Sequence, residues 1–258
     1  MLPDISRKPQ RVMVSDDMAS LKEARTLYLD LMKSTLLDLI YDPIDLKNRV
    51  EGRIWPVRSY TMVGLKRLDN IQSCIESVVA NNIPGDFIET GVWRGGSTIF
   101  MRAVLKAYGI LDRRVWVADS FEGLPKPNAE LYPADLGDMH HTVKELAIPL
   151  DQVQAHFQKF GLLDEQVRFL KGWFRDTLPT APIAKLAVLR LDGDLYESTM
   201  DALVHLYPKL SIGGYVIVDD YGAIDACRKA IDDFRQTHGI EEEMHWIDWT
   251  GTYWQRKK

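Results

Sequence analysis

Four aspartates in two short stretches, Asp192-Gly193-Asp194 and Asp219-Asp220, are the residues of this chain best placed to do chemistry. Each pair follows a run that reads as an apolar β-strand, Lys185–Leu191 and Tyr215–Val218. Neighbouring strands lie about 4.8 Å apart, so carboxylates from both ends can share one hard cation. Oxygen donors with no Cys or His nearby suit Mg²⁺ rather than Zn²⁺. Without a cation, like charges held together raise at least one pKa. The competing reading is that these acids merely cap the following helices and face water. Asp219 and Asp220 would point to opposite faces if both lay in the strand, so one must sit in the turn.

Two further acids end earlier strands. Glu89 closes Gly85–Thr90 and Asp119 closes Arg114–Ala118. Ligand crevices of open α/β sheets lie at the carboxyl ends of the strands, which predicts that the acids converge on one edge. Asp119 stands where a carboxylate can accept hydrogen bonds from a ribose diol. After Glu89 comes Thr90-Gly91-Val92-Trp93-Arg94-Gly95-Gly96-Ser97, a glycine turn opening into an amphipathic helix that ends at Tyr108. Free N–H groups at such a helix start face a bound cofactor. The spacing is neither the G-x-G-x-x-G of nicotinamide enzymes nor a P-loop, because no Gly-Lys-Ser/Thr follows. A turn that is glycine-rich only to pack tightly would look the same.

The elements that must position these residues follow in order. Met1–Asp17 reads as a loose polar arm. Leu21, Ala24, Leu27, Tyr28, Leu31, Met32, Thr35, Leu36 and Leu39 recur at helical spacing from Met18 onward. That apolar face needs cover from the main domain or from another subunit. Pro43 stops the helix, Asp42–Tyr60 reads as an ordered loop or lid, and Leu65–Asn81 as a second helix. Strands at 85–90, 114–118, 166–170, 185–191 and 215–218 then alternate with helices at 97–108, 150–160, 200–210 and 224–237. Met244–Gln255 reads as an antiparallel pair turning at Trp249-Thr250-Gly251. Such alternation predicts an α/β fold with a mostly parallel sheet covered on both faces. The chain reads as one domain: a helical and lid extension over 1–82, and a core over 83–258 carrying an insert at 122–148. That insert is too long for a passive connection.

Composition narrows the function classes. A formal charge of −5 argues against nucleic-acid binding. No stretch is long and apolar enough for a membrane span, and Met1-Leu2-Pro3-Asp4 has no signal-peptide core. Cys74 and Cys227 lack metal-type spacing and suggest packing groups in a reducing, cytoplasmic setting.

Taken together, Glu89-Thr90-Gly91-Val92-Trp93-Arg94-Gly95-Gly96, Asp119-Ser120-Phe121-Glu122-Gly123-Leu124-Pro125, Arg190–Thr199 and Asp219-Asp220-Tyr221-Gly222 resemble the TylF/macrocin O-methyltransferase family. The likeness includes Tyr60-Thr61-Met62-Val63-Gly64. It implies a Rossmann-like S-adenosylmethionine methyltransferase fold, with a seven-stranded sheet whose last strand is antiparallel. It also implies a Mg²⁺-dependent enzyme that methylates sugar hydroxyls of antibiotics and forms dimers or larger assemblies. The roles it implies are these. Glu89, Thr90, Gly91, Val92 and Ser97 would hold the methionine end of the cofactor, and Asp119 and Ser120 the ribose and adenine. Gly172, Trp173 and Phe174 would flank the adenine, while Thr61 and Met62 close over it. Asp192, Asp219 and Asp220 would bind Mg²⁺, with Asp192 also beside the cofactor.

A sugar hydroxyl hardly ionises at neutral pH, so a Lewis acid and a carboxylate base would both help. Asp192 and Asp194 are the candidate catalytic residues, and His140 or His141 in the insert offers an alternative base. Trp55, Tyr132 and Trp173 are candidate walls for a glycoside. Phenolic or catechol hydroxyls on the same metal site form the alternative substrate class. A cofactor-binding subunit without turnover is the non-enzymatic alternative.

Overall fold

The structure is a computed structural model that describes residues 14–41, 44–54 and 57–258, and of 14–17 the backbone alone. The N-terminal part carries α1 (Val14–Leu36), α2 (Leu46–Val50) and α3 (Leu65–Ala80). The alternating part follows as β1 (Asp86–Thr90), α4 (Gly96–Ala107), β2 (Val115–Asp119), α5 (Leu150–Lys159), β3 (Val167–Lys171), α6 (Phe174–Thr177), β4 (Leu186–Leu191), α7 (Tyr196–Leu206), β5 (Leu210–Val218) and α8 (Asp225–Thr237). The two-residue β6 (His245–Trp246) and β7 (Thr252–Gln255) close the chain.

The strands form one sheet in the order β3-β2-β1-β4-β5-β7-β6. The first five in that order run parallel, whereas β7 is antiparallel to β5 and β6 to β7. This is the expected mostly parallel sheet with an antiparallel end. The direction of winding reverses between β1 and β4, which places a crevice beyond their carboxyl ends. Side chains alternate across the sheet as its period of two requires. Phe87, Val115, Val117 and Ile217 pack with residues of α1, α3, α4 and α5 on one face. Ile88, Trp116, Leu189 and Val218 pack with residues of α7 and α8 on the other.

Several boundaries differ from expectation. The helix placed at 200–210 begins at Tyr196 and ends at Leu206, and β5 starts at Leu210 rather than Tyr215. Gly213-Gly214, read as a stop before the strand, lies inside it. The pairing with β4 jumps from Leu186↔Leu210 to Val188↔Tyr215, so the glycines mark a bulge. Gly213 takes the left-handed φ of 87° there, and a Cβ on Gly214 would sit 2.8 Å from the Ala187 carbonyl oxygen.

Helix α1 begins at Val14, inside the stretch read as a loose arm, and its apolar positions split. Leu29, Met32 and Leu36 are buried, but Leu21, Leu27 and Leu31 stay at least 58% exposed. Among the described residues no helix is long and apolar enough to cross a membrane. The insert winds through three short 3₁₀ turns. It is tied down by Asp135, whose carboxylate accepts from the Tyr196 and Glu197 N–H groups at 2.6 and 3.1 Å and so caps α7 from 61 residues upstream.

Candidate active site

The crevice is a cleft at the carboxyl ends of β1, β2, β3 and β4. Gly91 makes it possible. Its φ is +89°, and a side chain there would meet the Asp192 carbonyl oxygen at 1.7 Å, so only glycine lets the turns after β1 and β4 touch. The Asp192 N–H donates to the Thr90 carbonyl at 2.9 Å, extending the ladder past the strand end. Three non-glycine residues with left-handed backbone, Trp93, Phe121 and Asp194, stand in the turns after β1, β2 and β4. Such conformations gather where a site holds the chain in a required shape.

The N-terminal segment seals the start of α4. Gly96 N–H donates to the Tyr60 carbonyl at 2.8 Å, and Arg94 donates to the Val57 and Ser59 carbonyls at 2.9 and 2.7 Å. Thr61 and Ser97 are buried together, their hydroxyl oxygens 3.5 Å apart.

Of the residues singled out in the sequence, Met62, Gly91, Asp119, Ser120, Gly172, Trp173 and Phe174 line the cleft, together with Asp192 and Asp194. Thr61, Glu89, Thr90, Val92 and Ser97 lie behind that surface, as do Asp219 and Asp220, and all are buried. Tyr132 packs at a tilt against Tyr196 with centroids 6.1 Å apart instead of walling the cleft, and Trp55 lies outside the described residues. His140 is half-buried, its Nδ1 2.5 Å from Asp138 Oδ2. Although burial opposes protonation, that bond and the charge of Asp194 hold His140 above its ordinary pKa.

Asp119 is held by neutral donors. Its Oδ2 accepts from the Val92 N–H and its Oδ1 from the Phe121 N–H, both at 2.7 Å. Burial nevertheless raises its pKa above the usual carboxylate value.

The other acids are organised by a residue of the Arg190–Thr199 motif to which the sequence alone assigns no role. The strand taken as apolar throughout contains Arg190, which has no exposed surface at all. Register explains the pairing: Arg190 stands opposite Glu89 on β1, and Asp192, two residues on, shares its face. The guanidinium donates from Nη1 to Glu89 and, at 2.7 Å, to Asp192, and from Nη2 to Asp219. Arg67 of α3 grips the other Asp219 oxygen and donates from Nε to Asp248 at 2.9 Å. A lone arginine inside an otherwise apolar strand was the available signal. Burying it without anions is prohibitive, so it had to have carboxylate partners.

Two guanidiniums face six carboxylates: Glu89, Asp192, Asp194, Asp219, Asp220 and Asp248. The pKa shifts follow. Despite burial, Arg190 and Arg67 keep Asp219 below its usual value. Burial and the Asp219 charge push Asp192 up to about 6. Burial and the Asp192 charge push Asp194 to about 7. Burial lifts Glu89 to about 8 even beside Arg190, and lifts Asp220 well above its normal range, with the charges of Asp194, Asp192 and Asp219 adding to it.

Asp192, Asp219 and Asp220 each offer an oxygen within 4.8 Å of the others'. Asp220 Oδ2 is buried without a hydrogen-bond partner, and so is Glu89 Oε2. An excess of carboxylates over guanidiniums, an orphaned oxygen and an all-oxygen donor set fit a hard divalent cation. Further residues missing from the sequence reading also line the cleft, including Trp93, Leu146, Glu197 and Asp201. They lie in turns and on α7, where only the fold brings them to the rim.

The comparisons agree with this architecture. The profile of the family described as Macrocin-O-methyltransferase (TylF) matches residues 10–256. The chain is 58% identical over 245 residues to the 8-demethyl-8-(2,3-dimethoxy-alpha-L-rhamnosyl)-tetracenomycin-C 4'-O-methyltransferase of Streptomyces olivaceus, covering 90% of this chain and 94% of that one. It is 51% identical to the demethyldecarbamoylnovobiocin O-methyltransferase of Streptomyces niveus, covering 90% and 94%. The solved structure of the O-methyltransferase NovP superposes with a TM-score of 0.89 at 52% identity, covering 91% of this chain and all of that one.

Proposed function

Because this chain belongs to the macrocin O-methyltransferase (TylF) family and is an O-methyltransferase, we propose that it methylates a sugar hydroxyl of a glycosylated natural product, using S-adenosylmethionine and Mg²⁺. One observation carries this reading: a single cleft is lined by the Gly91 turn and Asp119 together with Asp192 and Asp194. The names of the relatives, a rhamnosyl 4'-O-methyltransferase among them, support a sugar as acceptor.

In this reading Glu89 Oε2 takes the cofactor's ammonium group, since it is buried with no other partner. Asp119 and Ser120 would receive the ribose, Trp173 and Phe174 would flank the adenine, and Met62 would close over them. Val92, Thr90, Thr61 and Ser97 shape the turn from behind. Asp192, Asp219 and Asp220 hold the cation. When bound, the cofactor supplies the electrophilic methyl and the cation supplies Lewis acidity at the acceptor hydroxyl. Asp194, in its left-handed turn on the cleft wall, takes the hydroxyl proton. Trp93 and Leu146 give the acceptor an apolar wall and keep bulk water from the reacting atoms. The exposed Leu21, Leu27 and Leu31 stripe on α1 is where a second copy of the chain packs. Two free, buried thiols, Cys74 and Cys227, suit a reducing cytoplasm.

The test is a panel of rhamnosides and other deoxysugar glycosides against catechols, with S-adenosylmethionine and product detected by mass. Turnover of a glycoside that stops on chelation and returns with Mg²⁺ is expected. Methylation of catechols alone overturns the acceptor, and chelator-resistant turnover overturns the cation.

A further inference from the structure

We infer that Arg190 is a positioning residue that sets the carboxylates of both half-sites at once, so that the cofactor end and the cation end are coupled through one side chain. The inference rests on the roles proposed above for Glu89 and for Asp192, Asp219 and Asp220.

The guanidinium is wholly buried. Its two terminal nitrogens reach three acids from three different strand ends: Glu89 of β1, Asp192 after β4 and Asp219 after β5. In each it takes one oxygen. Glu89 is left with Oε2 free of any partner. Asp219 cannot turn away, because Arg67 holds its second oxygen. Arg67 in turn is braced by Asp248, whose Oδ1 accepts from the N–H groups of Thr250 and Gly251 at 3.0 and 2.7 Å. Asp192 and Asp219 therefore face Asp220 in an arrangement fixed from behind, and Asp220 Oδ2 is the unpartnered acceptor on that side.

A planar fork with several donors can do this. A lysine ammonium is a single point charge and cannot reach three carboxylates in these directions. The arrangement has a consequence at a distance. Glu89 is not among the acids grouped for a cation, yet it shares Arg190 Nη1 with Asp192, and an amide in its place is a weaker acceptor for that nitrogen. The guanidinium then draws harder on Asp192 and Asp219, and both become poorer cation ligands.

The experiment titrates wild-type protein, R190K, E89Q and the double variant separately with Mg²⁺ and with S-adenosylhomocysteine by calorimetry, with circular dichroism as the check on folding. R190K is expected to weaken both affinities by about ten- to a hundredfold, the range for losing a supporting partner of a metal ligand. E89Q is expected to weaken S-adenosylhomocysteine and also to weaken Mg²⁺ by about threefold or more, and that second penalty shrinks in the R190K background. Folded R190K that binds either ligand as wild type does overturns the inference. So does E89Q that loses only S-adenosylhomocysteine. If R190K does not fold, E89Q decides alone. Wild-type protein that binds S-adenosylhomocysteine but no Mg²⁺ overturns the cation reading itself, and this inference with it.

Discussion

Asp119 and Asp219 stand just past or at the ends of parallel strands in one sheet, and they are satisfied in opposite ways. Backbone N–H groups of Val92 and Phe121 hold Asp119, and its pKa rises. Guanidiniums of Arg67 and Arg190 hold Asp219, and its pKa falls. Neutral donors repay part of a carboxylate's lost hydration but add no charge, so burial still wins. A guanidinium brings a full positive charge into the same low-dielectric region and reverses the outcome. The surroundings of Asp119 are therefore built from turn geometry, while those of Asp219 are built from charge balance.

The largest effect that separates the two ends is expected from Asp219→Ala. It leaves Arg67 and Arg190 without their shared anion, and breaking a buried pair in this way costs about 3–5 kcal/mol. Chemical denaturation should show that loss, and calorimetry should show loss of Mg²⁺ binding. A variant of wild-type stability would mean that Asp248, Asp192 and Glu89 suffice to balance the arginines.

Asp119→Asn is expected to act more mildly. The amide keeps the shape but presents one acceptor instead of two, leaving a turn N–H poorly satisfied, at about 1–3 kcal/mol. Its signature is weaker S-adenosylhomocysteine binding with Mg²⁺ affinity intact. Loss of both affinities would erase the distinction between the two ends.

The smallest effect concerns pH. Asp192 and Asp194 have folded pKa values raised to about 6 and about 7, above an unfolded value of about 4. A raised carboxyl binds its proton more tightly in the fold. Its contribution is therefore fully present below about pH 4 and is lost as pH rises through 6 and 7. A cation reverses that loss by accepting the ionised forms. The rise in Tm on adding Mg²⁺ should accordingly be greater at pH 8 than at pH 5. An equal rise at both would show that Asp192 does not meet the ion. Asp219, with its pKa depressed, contributes in the opposite sense: its stabilisation holds above about pH 4 and fades in acid.

What could be read along the chain was whatever the chain does locally. The Glu89–Ser97 turn, the acids at the strand ends and the β6–β7 pair depend on residues close in sequence, and all were legible. Gly213-Gly214 misled because the same dipeptide serves a turn and a bulge, and only pairing with β4 distinguishes them. Arg190 was hidden by its neighbours, since one cation in a run of Leu, Ala and Val still reads as strand. The insert offered no local pattern because what fixes it is remote: Asp135 caps a helix that begins 61 residues later.

The amino-acid sequence alone determined the alternation of strand and helix, the glycine turn, the row of acids along one edge and the family likeness. These follow from periodicity and residue type, which act over a few residues. The tertiary structure decided which acids carry a counter-charge, because Arg67 and Asp219 are 152 residues apart and meet only when α3 packs beside the β5 end. Electrostatics depends on distance and burial, and the linear order of residues fixes neither.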